Sequence, residues 1–459
     1  HDITAKFGKW SRRYLWDRNY SETRKPEMPS AIIETMSHQN FGDMRYGLDP
    51  NFRFTMARSL YKTILRYVSK GHERPFVVQP LPVNNLRVER TDNQMLRLTW
   101  LPVKDEQEPT AVPTAYNIYI SENGGGFDNG RIVQGTSFVF EARRGVVYKF
   151  RVTAVNRGGE SFPSETLAAY LSPDADAKDI LVVDGFKRLS GPAIVDDNTR
   201  LGFDLDADMG VTLGLAAGWN GRQQCFNRSR GGSEGPNALG YSGDELAGTF
   251  VMGNQQNASV CHVETIARSG SYNVLSSSLE AFENDFVKPS HYSVIDMAFG
   301  MQKDDGHSLV HYKTFSSTLQ KQVMAFIRGG GRMFVSGAYI GSDMQRGDER
   351  DFLSGVFKTS YGGSDCNQTN NTVNGLGISF DLIRHPNAVH YAATNVNVMR
   401  PANASSFCAM QYADGTDAAV AYDGADYKCF VMGFPFECIN SIKARQQVMK
   451  AVMNFLTKK

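Results

Sequence analysis

The chain of 459 residues lacks the features that mark several large classes of protein. It has no polybasic tract, and its 49 lysines and arginines nearly balance its 48 aspartates and glutamates, which leaves a net charge of +1. A chain with this balance has little to neutralise a phosphate backbone, so nucleic acid is not predicted as the main partner. No apolar run reaches the ~18 residues of a membrane-spanning helix, so no transmembrane segment is predicted.

Cysteine is scarce, and its spacing is irregular. None of the cysteines forms a Cys-x-x-Cys pair, which argues against a structural zinc knuckle. The six cysteines stand at positions 225, 261, 366, 408, 429 and 438. Two alternatives stay open for them: one or two disulfides in an exported protein, or free buried thiols.

The length and composition are those of a globular, multidomain protein. Apolar residues make up 41% of the chain and charged residues 21%, and the length accommodates two to four domains. The periodicity of the apolar residues changes twice along the chain. We therefore predict domains at residues 1–71, 83–172 and 177–459, with the proline-punctuated residues 72–82 as a linker.

The first segment contains an apolar run that ends in a carboxylate. Ala31-Ile32-Ile33 leads into Glu34, and the polar loop Ser37–Asn40 follows. A carboxylate at the end of a buried strand is held beside a crevice, where it can act as a general acid or base. The alternative is a residue that caps or salt-bridges the loop. Asp49-Pro50 then predicts the start of an amphipathic helix that packs on a sheet and ends near Gly71.

From about Ile3 to Tyr67 the chain resembles the C-terminal part of the zinc-dependent N-acetylmuramoyl-L-alanine amidase family. That family has a strand ending in a Glu-Thr-like step, a loop with Ser and Asn, and a last helix, so the resemblance implies that Glu34 is catalytic. It also implies a zinc ion in the full-length family, held by two histidines and a glutamate earlier in the domain. This chain has no His-x-Glu or His-Gly-His spacing before Glu34. We therefore expect a fragment or a degenerate amidase, with no cofactor in this chain.

From Val83 the apolar residues alternate, as in half-buried strands. Examples are Leu96, Leu98 and Trp100, and later Tyr148, Phe150 and Val152. Short alternating strands over ~90 residues predict a seven-stranded sandwich. The segment resembles a fibronectin type III domain, with Trp100 on the second strand and Tyr148–Val152 as the sixth. Such modules are usually spacers or adhesive elements.

Beyond Pro173 the pattern becomes that of buried parallel strands and helices. Apolar runs end in Asp184 and Asp296, a helix is predicted from Ser316 to Ile327, and Met333–Ser336 is the next strand. A hairpin and a final helix complete an α/β three-layer domain with a largely parallel sheet. The region resembles the flavodoxin-like, glutamine-amidotransferase-like architecture.

Several residues of this last segment are candidates for ligand binding. Asp184 and Asp296 end two strands and could converge at the carboxyl ends of the sheet, where the Gly-rich loop around Asp244 could line a crevice. Ordinary loop chemistry is the alternative. Tyr339, in Gly337–Gly341, stands where the amidotransferases place a cysteine nucleophile. A phenol is a poor nucleophile at neutral pH, so Tyr339 is predicted to stack on a ligand or to close the pocket.

Two further patterns have a metal interpretation and a structural one. Asp204, Asp206 and Asp208 alternate, which is compatible with a calcium loop or with a solvated acidic loop. His307 and His311 are four residues apart and could share a helix face, but no glutamate follows the first histidine, so the metalloprotease motif is absent.

The order of the three segments resembles exported bacterial proteins often labelled xanthan lyase. The preferred hypothesis is an exported protein of the cell envelope, periplasmic or at the cell surface, from the amidase family. It would hydrolyse the peptidoglycan amide bond when full-length and would be inactive as this chain. The alternative is a noncatalytic glycan-binding or scaffold protein, or a polysaccharide-active one. The predicted partner is peptidoglycan or another cell-envelope glycan.

Overall fold

The computed structural model describes residues 1–11, 14–38, 40–92, 94–198, 200–205, 207–217, 226–227, 248, 250–364, 371–393 and 395–458. The chain has a helical N-terminal segment, an antiparallel sandwich and a large mixed sheet. The loop that contains Asp244 lies outside the described residues.

The described residues of the N-terminal segment form four helices, α1 (Asp2–Phe7), α2 (Ser21–Arg24), α3 (Phe41–Gly47) and α4 (Pro50–Gly71). The predicted start of α4 is confirmed, because the Asp49 carboxylate accepts hydrogen bonds from the backbone N–H groups of Asn51 and Phe52. Phe52 is fully buried, with its ring 5.2 Å from that of Phe7. The first turns of α4 therefore anchor the segment.

The predicted strand at Ala31–Ile33 is wrong. These residues belong to neither a helix nor a strand, and the side chains of Ile32 and Ile33 are 48% and 58% exposed. A three-residue run forms a strand only where a neighbouring strand completes its hydrogen bonds, and the described part of residues 1–71 supplies none. Glu34 is consequently an exposed residue and not the end of a buried strand.

The second half of α4 also differs from the prediction. Ile64 and Tyr67 continue the apolar stripe in sequence, but their side chains are 63% and 64% exposed. The helix does not lie on a sheet along its length. It contacts a sandwich loop instead, through an ion pair of 2.7 Å between Arg58 and Asp105.

In the described residues the sandwich contains eight strands, one more than the seven predicted, because Gly159–Glu160 also pairs as a two-residue strand. They are β1 (Asn84–Arg90), β2 (Met95–Leu101), β3 (Ala115–Glu122), β4 (Arg131–Val133), β5 (Ser137–Glu141), β6 (Val147–Asn156), β7 (Gly159–Glu160) and β8 (Leu167–Tyr170). One sheet pairs β1, β2 and β5, and the other pairs β4, β3, β6 and β8, with β7 beside β6. Trp100 is fully buried between them, and its ring lies 5.3 Å from that of Tyr116. The predicted sandwich is confirmed.

The remaining residues build one mixed sheet with helices and several small sheets. In chain order the strands are β9 (Lys178–Asp184), β10 (Ala193–Asp196), β11 (Arg200–Asp204), β12 (Thr212–Leu213), β13 (Ala216–Ala217), β14 (Phe226–Asn227), β15 (Phe250–Val251), β16 (Gly253–Asn254), β17 (Tyr272–Ser278), β18 (Val294–Gly300), β19 (Arg332–Gly337), β20 (Thr359–Ser364), β21 (Thr372–Gly375), β22 (Ile378–Asp381), β23 (Asn397–Pro401), β24 (Ser406–Tyr412), β25 (Asp417–Asp423) and β26 (Lys428–Met432). The helices are α5 (Ala258–Ile266), α6 (Leu279–Glu283), α7 (Ser317–Arg328), α8 (Gly347–Phe352) and α9 (Ile442–Thr457). Short 3-10 helices lie at Pro289–His291 and Phe436–Cys438, and a π-helical turn lies at Leu353–Phe357.

The large sheet is parallel in one half and antiparallel in the other. The strands β17, β9, β18, β19 and β26 are parallel neighbours in that order. Numbered by their position along the chain, the parallel strands therefore follow the order 2-1-3-4-5. Antiparallel strands β25, β24, β21 and β22 extend the sheet beyond β26. The predicted hairpin near the end of the chain is confirmed as β25 and β26.

Helices cover both faces of this sheet. Val263 of α5 and Val448 of α9 belong to the apolar cluster on one face, which includes Val182 of β9. On the other face, Leu319 and Val323 of α7 join the cluster that contains Leu181. The overall helical content is modest, and the small sheets β10-β11-β14, β12-β16, β13-β15 and β20-β23 flank the large one.

The sandwich and the mixed sheet share an edge. Strand β17 pairs antiparallel with β8 at Val274 and Tyr170, and with β1 at Ser277 and Arg87. The Ser276 hydroxyl donates to the Ala168 carbonyl at 2.6 Å. One apolar cluster runs without interruption from the sandwich to the mixed sheet. The sandwich thus protects an edge that would otherwise expose unpaired backbone groups.

Cys261, Cys408, Cys429 and Cys438 are free thiols, and Cys225 and Cys366 lie outside the described residues. Of the helices in the described ranges, not one is long and apolar enough to cross a membrane.

Candidate functional site

A cleft of about 510 Å³ opens at the carboxyl ends of β18 and β19. We call it the carboxyl-edge cleft. Most of its lining residues have polar side chains, and the lining consists of Ala193, Ile194, Ala207, Asp208, Lys303, Asp304, Asp305, His307, Tyr339, Ser342, Asp343, Ser364 and Asn395. In the strand order 2-1-3-4-5 the reversal lies between β9 and β18, and open α/β sheets bind ligands outside the carboxyl ends of their strands near such a reversal. The cleft lies one strand further along, at the ends of β18 and β19.

A buried ion-pair network forms the rear wall of the cleft. The Arg188 guanidinium is fully buried, 2.5 Å from the Asp208 carboxylate and 3.7 Å from that of Asp305. Lys303 Nζ lies 2.6 Å from Asp208 Oδ2, the same oxygen that Arg188 contacts. Burial by itself would raise the pKa of Asp208, but Arg188 and Lys303 together lower it far below its usual range. Asp208 therefore stays ionised, with its charge balanced by Arg188 and Lys303, and it belongs to the wall of the cleft and not to a solvated loop.

Tyr339 is at the base of the cleft and bears an unsatisfied hydroxyl. The side chain is 5% exposed, and Lys303 Nζ lies 4.4 Å from the centre of its ring. The hydroxyl makes no hydrogen bond of ordinary length and angle with a described residue, and its nearest polar neighbour is the Arg188 guanidinium, which can only donate. Burial raises the pKa of this phenol and Asp208 raises it further, while the adjacent Arg188 lowers it in part. The hydroxyl therefore stays protonated and able to donate.

His307 provides a second unused polar atom. Its Nδ1 lies 3.0 Å from the Asp305 carbonyl oxygen, so Nδ1 carries the proton and donates. In the neutral ring this leaves Nε2 as an acceptor, and Nε2 is buried without a hydrogen-bond partner in the described part of the chain. The loop is fixed by Asp305, which accepts hydrogen bonds from the backbone N–H and the hydroxyl of Ser308 at 2.9 and 2.7 Å. His307 and His311 lie in a loop and not on a helix face.

Asp184 ends β9 as predicted but does not line the cleft. It is fully buried below the start of α5, where its carboxylate accepts a hydrogen bond of 3.2 Å from the Ser259 backbone N–H. Burial raises the pKa of Asp184 to about 6, and Lys187 offsets part of the rise. Its geometry is that of a carboxylate at a helix N-terminus.

Asp296 is not at the end of its strand. It is the third residue of β18, which continues to Gly300 because Met297–Phe299 are also buried. The Asp296 carboxylate lies 2.7 Å from His262 Nδ1, and Glu437 lies 3.3 Å from His262 Nε2. Burial would lower the pKa of His262, but Asp296 and Glu437 raise it well above its ordinary value. Asp296 is thus turned toward α5 and does not converge on the cleft.

Of the residues predicted to bind a ligand at the carboxyl ends of the sheet, Tyr339 lies in the cleft, and Asp208 and His307, which had a metal interpretation in the sequence, line it as well. Asp244 lies outside the described residues, and the catalytic role of Glu34 stays a prediction. The sequence analysis did not identify Arg188 and Lys303, because no local sequence pattern indicates that they pair with Asp208. Within the described ranges no cluster of three or more His, Cys, Asp or Glu side chains could hold a metal ion. No step through zinc is therefore derived for this chain.

The comparisons with known proteins concern the sandwich. Residues 81–170 match the family described as "Fibronectin type III domain", and these residues form such a domain. No curated protein matches the chain. The chain is thus a fibronectin type III domain joined to a helical segment and a mixed α/β sheet, and no family is established for its whole length.

Solved structures similar to the chain also contain this domain. The twitchin kinase region from C. elegans is 20% identical, with a TM-score of 0.19, over 26% of this chain and 25% of its own length. The similarity thus spans about a quarter of the length of the twitchin structure. A domain of human fibronectin type III domain containing protein 3 is 26% identical, with a TM-score of 0.19, over 21% of this chain and 91% of its own. The domain assignment rests on the family match and the strand pairing, not on these scores.

Proposed function

We propose that this chain is a glycan-binding protein of the cell envelope whose carboxyl-edge cleft holds a neutral sugar. The observation that carries the proposal is the buried Tyr339 hydroxyl at the base of the cleft, which has no hydrogen-bond partner of ordinary geometry among the described residues. Leaving a buried polar group unpaired costs roughly 1–3 kcal/mol. A ligand hydroxyl would remove that cost on binding.

The rest of the lining suits a polyhydroxyl ligand. Sugar hydroxyls donate to carboxylates and to an unprotonated imidazole nitrogen, and accept from a phenol. The Asp304 side chain is 33% exposed at the cleft, and His307 Nε2 has no hydrogen-bond partner among the described residues. The cleft therefore offers both a carboxylate and an imidazole nitrogen as acceptors. The cleft has about the volume of a small-ligand pocket, which is 300–1,000 Å³.

Charge argues against an anionic ligand. Four aspartates and one lysine belong to the lining. Asp208 is neutralised by Arg188 and Lys303, but Asp304 and Asp305 remain ionised because hydrogen bonds and nearby cations lower the pKa of each despite burial. These carboxylates would repel the negative charge of a uronate or a phosphorylated sugar, whereas they would not repel a neutral or amine-bearing sugar.

Two features support the wider setting of the proposal. Fibronectin type III domains are typical of extracellular proteins and often bind other proteins or glycans, which favours a cell-envelope location. The parallel strand order 2-1-3-4-5 supports a flavodoxin-like assignment of the mixed sheet. Peptidoglycan is a candidate partner because its glycan strands consist of N-acetylated amino sugars.

Titration calorimetry with three oligosaccharides of equal length tests the proposal. An N-acetylglucosamine tetramer and a glucosamine tetramer should bind, and a galacturonate tetramer should bind at least 10-fold more weakly. Asp304→Asn should weaken binding of the N-acetylglucosamine tetramer about 5-fold. Asp348→Asn is the matched control, because Asp348 is 73% exposed on α8 and away from the cleft. Tightest binding of the galacturonate oligomer, or no binding of either other sugar, would refute the proposal.

A further inference from the structure

A second cavity, of about 340 Å³, lies between α5 and α9. We call it the α5–α9 pocket. One stripe of α5 lines it through Ala258, Cys261 and Thr265, and the first turn of α9 lines it through Ile442 and Arg445. The loop Val389–Tyr391 closes another side. None of these residues belongs to the carboxyl-edge cleft.

Two guanidinium groups face this pocket without a carboxylate partner among the described residues. Arg445 donates a side-chain hydrogen bond to the thiol of Cys261, with 3.2 Å between Nη1 and Sγ, and a thiol is a weak acceptor. Arg268 lines the pocket from beyond the end of α5 and makes no ion pair with any described residue. A guanidinium has five donors arranged to fit a carboxylate. Most of these donors remain available in both residues.

The carboxylate at the floor of the pocket is already occupied. One oxygen of Glu437 lies 3.3 Å from His262 Nε2, and the other accepts the Tyr391 hydroxyl at 2.5 Å. His262 is in turn held by Asp296, so this series of hydrogen bonds connects the floor of the pocket to β18. Glu437 therefore does not compete for Arg445 or Arg268. The backbone N–H groups at the start of α9 add partial positive charge to the same pocket.

We infer that the α5–α9 pocket binds a small organic carboxylate through Arg445 and Arg268. Glu264 also lines the pocket, and it makes no ion pair with the described residues. It can accept an ammonium group at the other end of the ligand, and it would repel a second negative charge. The ligand class is therefore a monocarboxylate that is otherwise neutral or zwitterionic, of about the size of an amino acid or dipeptide.

Ligand-observed NMR with the whole chain tests the inference with four probes. L-alanine and lactate carry the carboxylate and should both bind. Alaninamide keeps the ammonium group but lacks the carboxylate, and inorganic phosphate carries more than one charge, so both should bind at least 10-fold more weakly. Arg445→Gln should weaken L-alanine binding at least 10-fold. The matched control is Lys443→Gln, an exposed residue on the same helix that does not line the pocket.

A second readout does not depend on affinity at the arginines. Cys261 is partly exposed in the pocket, so L-alanine should slow its alkylation by iodoacetamide, measured by peptide mass spectrometry, and alaninamide should not. Equal binding of alaninamide and L-alanine, tightest binding of phosphate, or unchanged L-alanine affinity in the Arg445 variant would overturn the inference.

Discussion

The sandwich and the mixed sheet share an edge but use their interiors differently. Between its sheets the sandwich buries apolar side chains such as Trp100, Phe150 and Leu98. The mixed sheet buries ionisable ones, including Arg188, His262 and Asp184, below its helices and at its carboxyl edge. Burying ionisable groups costs free energy unless each is paired, so their concentration in one region indicates where function has shaped the chain. The comparison separates a scaffold from the region that carries both proposed ligand sites.

The largest expected effect is the loss of the histidine that joins two buried carboxylates. His262→Ala leaves Asp296 and Glu437 without their shared cation, which should lower the free energy of unfolding by about 5 kcal/mol. Urea melts at neutral pH give the value. His291→Ala is the control, since His291 is exposed and should change little. A cost near that of the control would mean that the interactions of His262 with Asp296 and Glu437 do not stabilise the fold.

The effect of His262 should also depend on pH. Its folded pKa is raised well above 6.5, so its stabilising contribution is complete below about pH 6.5 and is lost as the pH rises through the folded value. The difference between wild type and His262→Ala should therefore be larger at pH 6 than at pH 10. An increase with pH would contradict the assignment of an imidazolium.

In the sandwich the corresponding change should act by packing alone. Trp100→Ala removes a fully buried ring from between the two sheets and should cost about 4 kcal/mol. The cost should be nearly the same at pH 6 and pH 9, because the neighbouring phenol of Tyr116 stays neutral over this range, its pKa being raised by burial. A cost below about 1 kcal/mol would contradict the packing of the sandwich around Trp100.

Sequence periodicity predicted the scaffold better than the site. Alternation around Leu96–Trp100 and Tyr148–Val152 is a local signal, and both segments lie in paired strands. The strands β9, which ends at Asp184, and β19, predicted at Met333–Ser336, were also predictable from apolar runs, as was the cap of α4 at Asp49.

The site depends on pairings that are distant in sequence. Arg188 meets Asp208 across 20 residues, and His262 meets Glu437 across 175 residues. No spacing rule connects such positions. Ala31–Ile33 shows the opposite failure, because a local apolar run indicated a strand where no neighbouring strand is described.

A smaller effect is expected at Asp184. Its folded pKa of about 6 lies above the ordinary 3.8, so stability is complete below about pH 4 and falls as the pH rises to about 6, by about 3 kcal/mol in all. Asp184→Asn keeps an oxygen that can accept from the Ser259 N–H and removes the charge. Unfolding measured between pH 4 and 7 should show a smaller decline in this variant. An unchanged decline would assign the pH dependence to other groups.

The smallest effect on stability is expected in the N-terminal segment. Ile64 is 63% exposed on α4, so Ile64→Ser should change the free energy of unfolding by less than about 0.5 kcal/mol. Phe52→Ala, on the buried side of the same helix, should cost about 3 kcal/mol or more. Equal costs would show that the exposed half of α4 is packed in solution.

The central claim is that Tyr339 serves a ligand and not the fold. Tyr339→Phe removes only the unpaired hydroxyl, and Tyr67→Phe makes the same change at a position that is 64% exposed. The measurement is the affinity for the N-acetylglucosamine tetramer together with the free energy of unfolding, for both variants and the wild type. We predict that Tyr339→Phe weakens binding at least 5-fold and leaves stability unchanged or higher, while Tyr67→Phe alters neither. Full affinity in Tyr339→Phe, or a loss of stability that accounts for the weaker binding, would contradict the claim.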